Sequence, residues 1–424
     1  MDEKNNLLKN QEDKKVNEVA LKPETEKKSN AGMFAGVSSA LIILVVVISV
    51  VVTMGMQQNN SNDKSGTGNY SIIDENTNLT SGSVTTTVDG KSVTYKGAYV
   101  VDGVEATISS GTYESTTDDE VVFLVINGGS LRINGEVTIN KSGSADFAGR
   151  GDNYSFYGIN SAITVVGEGS SVEINGAKIN TTVSGANAVV ATNGATAVVS
   201  GAEISTTKDN SRGLHATYGG TINADNTKII TQGGSCAALA TDRGTGTVVA
   251  DNMTLSTAGA GSPLIYSTGN ISVTNSTGVA TGAQIAVVEG KNSISLQGCE
   301  FSANGNGNRN GVDNAGVMIY QSMSGDASVG TGSFTATDCI LTVLASSSVY
   351  NVTPFFFITN TDATIDLTGT SVSFSAAEKF ISALGTSEWG RSGNNGGKVT
   401  VTLSDVNTTN TEVETDSISS VSGI

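Results

Sequence analysis

Between Val172 and Thr231 one alternation of apolar and polar residues appears three times. The copies are Val172-Glu-Ile174-Asn-Gly-Ala-Lys-Ile179-Asn-Thr181, Ala197-Val-Val199-Ser-Gly-Ala-Glu-Ile204-Ser-Thr206 and Ile222-Asn-Ala224-Asp-Asn-Thr-Lys-Ile229-Ile-Thr231, spaced 25 residues apart. In each, a run alternating on a two-residue period is broken by turn residues and then resumes. That predicts a short strand, a two-residue bend and a second strand. Side chains two apart share one face of a strand, so the apolar residues of each copy point the same way. Repetition at a period of roughly 20–50 residues marks a solenoid, whose units are stable only when stacked. The three copies read as successive coils of a parallel β-helix.

Taking the apolar residue after the bend as an anchor extends the pattern both ways. The anchors are Tyr113, Ile139, Ile179, Ile204, Ile229, Leu255, Val279, Phe301, Leu341, Val372 and Val406, which makes eleven coils. Two positions later the residue is usually Thr: Thr181, Thr206, Thr231, Thr257, Thr281 and Thr408. Two positions earlier it is small or apolar, as at Ala177, Ala202, Cys299 and Cys339. The bends carry Gly, Asn and Asp, which tolerate a left-handed backbone. The Val279 coil is expected to break register by one residue, because Ile271 and Val273 stand where 272 and 274 are required. Longer spacings place polar loops at 142–161, 304–315 and 387–397.

A third strand precedes each pair, at 189–192, 214–217, 238–241, 264–267, 286–289, 318–321 and 356–359. Alternation fails in these strands, because adjacent columns are both apolar. Either a loop or the cap covers their outer face, or that face is an exposed apolar strip suited to contact.

The ends differ from the repeat. Residues 1–30 are polar and charged, and residues 31–56 form an uncharged stretch centred on Leu41–Val52. As a helix this stretch spans about 39 Å, enough for the roughly 30 Å hydrocarbon core. It is longer than a signal-peptide core and lacks a good cleavage site, so it reads as an uncleaved transmembrane signal anchor. Lys14, Lys15, Lys22, Lys27 and Lys28 precede it and only Lys64 follows closely, which puts the N-terminus inside and the rest outside. Residues 57–69 form a flexible stalk. Residues 70–105 form an N-terminal β cap, 106–415 the β-helix, and 416–424 a C-terminal tail.

Gly 51 against Pro 3 and only 15% charged residues suit a turn-rich, repetitive β-protein. Residues 1–56 balance seven Lys against seven acids, so the whole −17 falls on residues 57–424. That charge repels phosphate backbones and argues against nucleic acid as a partner. No cofactor is required by the pattern, and the acidic surface is compatible with Ca²⁺ or cationic surfaces. Cys236, Cys299 and Cys339 form neither a disulfide framework nor a CxxC metal pair. Cys299 and Cys339 share a column in consecutive coils, within reach of a disulfide but with an awkward torsion, and free buried thiols are the preferred reading.

With these residues in view, the chain resembles the pectin-lyase-like, right-handed parallel β-helix proteins, above all their adhesin-like surface branch in bacteria and archaea. The segments that carry the likeness are Arg212–Gly220, Cys236–Gly244, Ile285–Ser293 and Val317–Gly325, within a similarity spanning roughly 98–415. The resemblance implies an all-β, right-handed parallel β-helix of about 11 coils, displayed at the surface behind one N-terminal transmembrane helix, that binds or adheres.

Polysaccharide lyases and hydrolases share that fold. A lyase needs an Asp cluster for Ca²⁺ and a basic residue, and a hydrolase needs paired carboxylates. Asn360-Thr-Asp362 resembles one polygalacturonase motif, but its companion motifs are missing and Asp118-Asp119 precedes the coils that would supply partners. His215, the lone histidine, lies in a column of Val, Leu, Ile and Phe and reads as structural. Catalytic and metal-binding residues are therefore expected to be none. The better candidates stand at the ends of the first strands: Tyr218, Asp242, Arg243, Tyr266, Glu289, Lys291, Tyr320 and Gln321. Aromatic faces beside carboxylates and Arg suit a carbohydrate or protein ligand. The expected function is a membrane-anchored, non-catalytic β-helix binding a polysaccharide or another surface. A pectate-lyase-like enzyme and a passive surface scaffold are the alternatives.

Overall fold

The computed structural model describes residues 79–144, 153–306, 314–322, 327–344, 354–374, 379–385, 397–410 and 413–423. Contacts divide the chain into Met1–Gly66 and Thr67–Ile424, and every described residue belongs to the second unit. No helix among the described residues is long and apolar enough to cross a membrane. The expected anchor at 31–56 and stalk at 57–69 lie outside them.

The described chain is nearly all parallel β-sheet, with strands of successive coils stacked in three ladders, compatible with a β-helix. The first ladder includes Val121–Ile126, Ile163–Val166, Val189–Thr192, Leu214–Thr217, Leu239–Asp242, Ile265–Ser267, Ala286–Glu289, Val317–Tyr320 and Phe356–Thr359. The second and third ladders meet at the bends within one sheet. The three founding copies pair as the repeat requires, with Val172, Ala197 and Ile222 in one register and Ile179, Ile204 and Ile229 in another. Gly82–Val88 forms an antiparallel hairpin with Lys91–Asp102, and the latter continues as the parallel partner of Val121–Ile126. At the other end Val413–Gly423, where the sequence suggests a tail from 416 onward, pairs antiparallel with Val399–Asn410.

The local chemistry explains this regularity. In the second and third ladders buried and exposed positions alternate, so Ala197 and Val199 enter the core while Val198 between them is 38% exposed. The bend joining these ladders needs one left-handed residue per coil. That place is held by Gly176, Gly201, Asn226, Asn252, Asn275, Gly298, Asp338 and Gly369, all at positive φ. Only residues with no Cβ, or with a short polar side chain that bonds locally, take this conformation at small cost.

The Asn275 bend corrects one expectation. Leu255 pairs with Gly278 and Gly278 with Phe301, while Ile271 and Val273 pair with Val248 and Ala250. The coil keeps register, and its anchor is Gly278 rather than Val279. A Cβ on Gly278 would lie 2.9 Å from Leu264 Cδ1 and 3.1 Å from Leu255 Cβ. Leu264 thus fills the volume that the anchor side chain fills elsewhere, and Ala280 replaces Thr281 in the Thr column. In the last coil Thr408 partners Val372, so Val406 is buried in a different column from the one expected.

The first ladder also differs. Leu239, Ile265 and Val317 align with Leu214, so three strands sit one residue away from the sequence-based frame. All four positions of Leu214–Thr217, Leu239–Asp242 and Val317–Tyr320 are buried, so no exposed residue marks the phase there. The three cysteines are buried and free, in line with the preferred reading, and the Cys299 amide donates to Cys339 Sγ at 3.4 Å.

Candidate functional site

Alternate positions of the first ladder point away from the core. One outward column runs Val190, His215, Ala240, Tyr266, Val287, Met318 and Phe357, replacing the Val, Leu, Ile and Phe surroundings expected for His215. This face is enclosed, since Val287, Met318 and Phe357 are 5%, 3% and 2% exposed. The covered alternative therefore holds along these coils. Toward the N-terminal end the cover is the hairpin, whose Val93 and Tyr95 pack on Leu124, Ile126 and Val166. Beside it lies a segment from the short helix Asn153–Tyr157 to Asn160, inside the stretch expected to be a polar loop.

That segment is docked by the residues that drew attention in the sequence. Tyr154 donates its hydroxyl to Asp119 at 2.6 Å, and Arg212 Nη1 donates to Ser155 Oγ at 2.9 Å. Asn187 Nδ2 and Thr217 Oγ1 donate to the Ser155 and Phe156 carbonyls at 2.9 and 2.8 Å. The Phe156 ring has the Arg212 and Arg243 guanidinium groups over it at 5.4 and 5.0 Å. Tyr157 stacks on Tyr218 with centroids 5.4 Å apart and planes inclined by 13°.

Beneath this segment Asp242 Oδ2 accepts from Arg212 Nε at 2.9 Å and His215 Nε2 at 2.8 Å. Both charges of the Arg212–Asp242 pair are nearly enclosed, so removing either one strands the other without solvation. Burial lowers the His215 pKa to about 4, with Arg212 assisting and the Asp242 hydrogen bond opposing. A third, positive member would unbalance a pair already neutral overall. His215 is therefore neutral and carries its proton on Nε2, while Nδ1 is buried with no hydrogen-bond partner.

Three consecutive coils build a second cluster. The fully buried Glu289 accepts from Tyr266 at 2.5 Å, from Tyr320 at 3.0 Å and from the Ser322 hydroxyl, and the two tyrosine oxygens are 2.9 Å apart. Burial, then the Glu289 charge, raises both tyrosine pKa values well above 10, so both stay donors. Gln321 Nε2 donates to the Ser322 and Ala327 carbonyls at 3.2 and 3.3 Å.

The eight expected binding residues thus separate. Asp242, Glu289, Tyr320 and Gln321 are buried, Tyr218, Arg243 and Tyr266 are partly buried, and only Lys291 is exposed. Tyr218 and Arg243 have φ of 47° and 38°, in a column where the preceding coil places Asn193. A side chain with a full Cβ costs roughly 1–2 kcal/mol in that conformation, and the contacts to Tyr157 and Phe156 offset it. Sequence reasoning missed Ser155 and Phe156 as partners because they lie in an insertion outside the repeat, and Ser322 because it lies just past the end of its first-ladder strand.

Among the described residues no group of three or more His, Cys, Asp or Glu side chains is placed to hold a metal ion. The open polar surface lies elsewhere. On the outer face of the third ladder Lys178, Glu203 and Lys228 follow one another in successive coils, with Lys178 Nζ and Glu203 Oε2 4.0 Å apart and both side chains about two-thirds exposed. Together with Asn180, Ser205 and Ile230 they line a shallow open depression.

No protein-family model, curated protein or solved structure matches this chain. The site is therefore read from its own chemistry. Enclosed ion pairs and hydrogen-bonded tyrosines rigidify the first ladder, whereas the third ladder offers exposed donors and acceptors at the strand spacing of about 4.8 Å.

Proposed function

We propose that the chain is a membrane-anchored, surface-displayed right-handed parallel β-helix of the pectin-lyase-like, adhesin-like kind, which acts by binding rather than catalysis. The anchor is the 31–56 segment, and the ligand is a polysaccharide or another surface rich in hydroxyl groups. One observation carries the reading. The acidic, basic and aromatic side chains of the first ladder engage the chain's own residues, while Lys178, Glu203 and Lys228 stand in an exposed row on a rigid sheet. Such a row presents charge and hydrogen-bonding groups to an extended ligand without rearrangement. The eight first-ladder residues then act on binding indirectly, by stiffening the coils, and Lys291 is the one that reaches solvent.

The test is a glycan array probed with the full chain in detergent micelles, alongside a variant carrying Lys178→Ala, Glu203→Ala and Lys228→Ala. Saturable binding that falls at least tenfold in the variant is the expected result. An array with no hits favours a passive scaffold. New unsaturated ends on polygalacturonate with Ca²⁺ would instead establish the lyase reading.

A further inference from the structure

Lys141 departs from the repeat in a way the binding reading does not use. Its column runs Ser115, Lys141, Thr181, Thr206, Thr231 and Thr257, one residue per coil. A lysine thus fills, with 1% exposure, a place that the next four coils give to threonine. A neighbouring column, three residues before the first-ladder strand register, runs Glu120, Asn160, Ala186, Ser211, Cys236 and Ser262. These two columns touch within a coil. Thr206, Thr231 and Thr257 donate to the carbonyls of Ser211, Cys236 and Ser262 at 2.6, 2.5 and 2.6 Å, and Ser115 donates to Glu120 Oε2 at 2.6 Å. In the coil between, the same two columns place Lys141 and Asn160 at the corresponding positions.

Both groups are held by one turn. Lys141 Nζ donates to the Thr117 carbonyl at 2.6 Å, and the Asp119 amide donates to Asn160 Oδ1 at 3.2 Å. Asn160 is fully buried and its Nδ2 has no hydrogen-bond partner. An orphaned amide nitrogen in an enclosed site gives up its hydration with no hydrogen bond in return, so the native fold carries a penalty that loss of that nitrogen would remove. Glu120 stands in the Asn160 column one coil away, as a partly buried carboxylate.

We propose that Lys141 and Asn160 are joined by an intramolecular side-chain amide bond, with Glu120 as the proton carrier. Neutral Lys141 Nζ attacks Asn160 Cγ, whose oxygen is polarised by the Asp119 N–H. The C–Nδ2 bond then breaks, Glu120 passes the proton from Nζ to Nδ2, and ammonia leaves. One N–C bond forms, one breaks, and no electron acceptor is needed. Burial lowers the Lys141 pKa to about 8 against the pull of Glu120, Asp118 and Asp119, so part of the amine is unprotonated at neutral pH. The bond closes the chain across residues 142–159, beside the first coils.

Peptide mapping of the denatured, trypsin-digested full chain tests this directly. The expected result is no cleavage after Lys141 and a branched peptide containing Lys141 and Asn160, one ammonia lighter than the sum of its two parts. Glu120→Gln should abolish the branch while the far-UV circular dichroism stays that of the parent. Cleavage after Lys141 at ordinary efficiency, with an unmodified Asn160 peptide, overturns the proposal. Because the parent chain supplies that readout, a variant that fails to fold does not spoil the test.

Discussion

Acidification should weaken this fold through one imidazole. His215 is fully buried beside a balanced Arg212–Asp242 pair, and its pKa is lowered from 6.5 to about 4. Above pH 6.5 the ring is neutral in folded and unfolded chains alike, and its contribution to stability is fully present. As the pH falls below 6.5 the unfolded chain takes up a proton that the folded chain refuses until about pH 4. Stability therefore declines through that window and this component levels off below it. The gap corresponds to about 3 kcal/mol at 1.36 kcal/mol per decade of proton affinity. The assay is urea unfolding of the full chain in detergent, followed by circular dichroism at several values between pH 7.5 and pH 4, for the parent and for His215→Val. Valine holds the equivalent place at Val190 in the preceding coil, so the substitution suits the column. It removes the bond to Asp242, a loss of about 1.5–3 kcal/mol that does not vary with pH in this range. All other titrating groups are common to both chains, so the parent-minus-variant difference isolates His215. That difference should shrink by about 3 kcal/mol on acidification. Parallel curves would refute the reasoning, and a growing difference would mean that the folded protein holds His215 protonated.

Two further substitutions test the corrected register and the left-handed column. Gly278→Ala should destabilise the chain by about 1–3 kcal/mol through overpacking, because Leu264 Cδ1 would lie 2.9 Å from the new methyl. Adding Leu264→Ala should recover part of that loss in a double-mutant cycle, whereas additive effects would place Gly278 outside the core column. Tyr218→Asn and Tyr218→Ala both lose the Tyr157 stack, but asparagine tolerates the φ of 47°. Thermal denaturation should rank Asn above Ala by about 1 kcal/mol. Equal midpoints would show that the position carries no backbone strain.

The period was legible because two of the three ladders alternate strictly and each bend is chemically marked. Gly176, Asn226 and Asp338 stand where the backbone excludes most residues, so the sequence writes the turn down. Legibility fails where that mark is overlooked or absent. Asn275 marks the Gly278 coil correctly, but a glycine anchor carries no apolar signal, and Val279 next to it supplies a false one. In the first ladder both faces are buried, so alternation holds no information about phase, and three strands move by one residue. The hairpin and the 154–160 segment lie outside the repeat, and so does their role as a cover.

The candidate site divides along the same physical line. Arginine beside an aromatic ring, a carboxylate beside a histidine, and tyrosines around a glutamate are chemistry suited to gripping a ligand. The same chemistry docks a segment of the chain on its own sheet, as Phe156 lies against Arg212 and Arg243. Residue type cannot distinguish the two uses, because only the covalent connection differs. What separates them is exposure, and exposure depends on where an insertion with no repeat comes to rest. The face left open carries ordinary residues, Lys178, Glu203 and Lys228 among Asn and Ser, none unusual enough to stand out in the sequence. Its strength as a binding surface would come from repetition. Weak contacts at about 4.8 Å intervals on a rigid sheet add through effective concentration, so affinity should rise with the length of a polymeric ligand far more steeply than with the chemistry of any one contact.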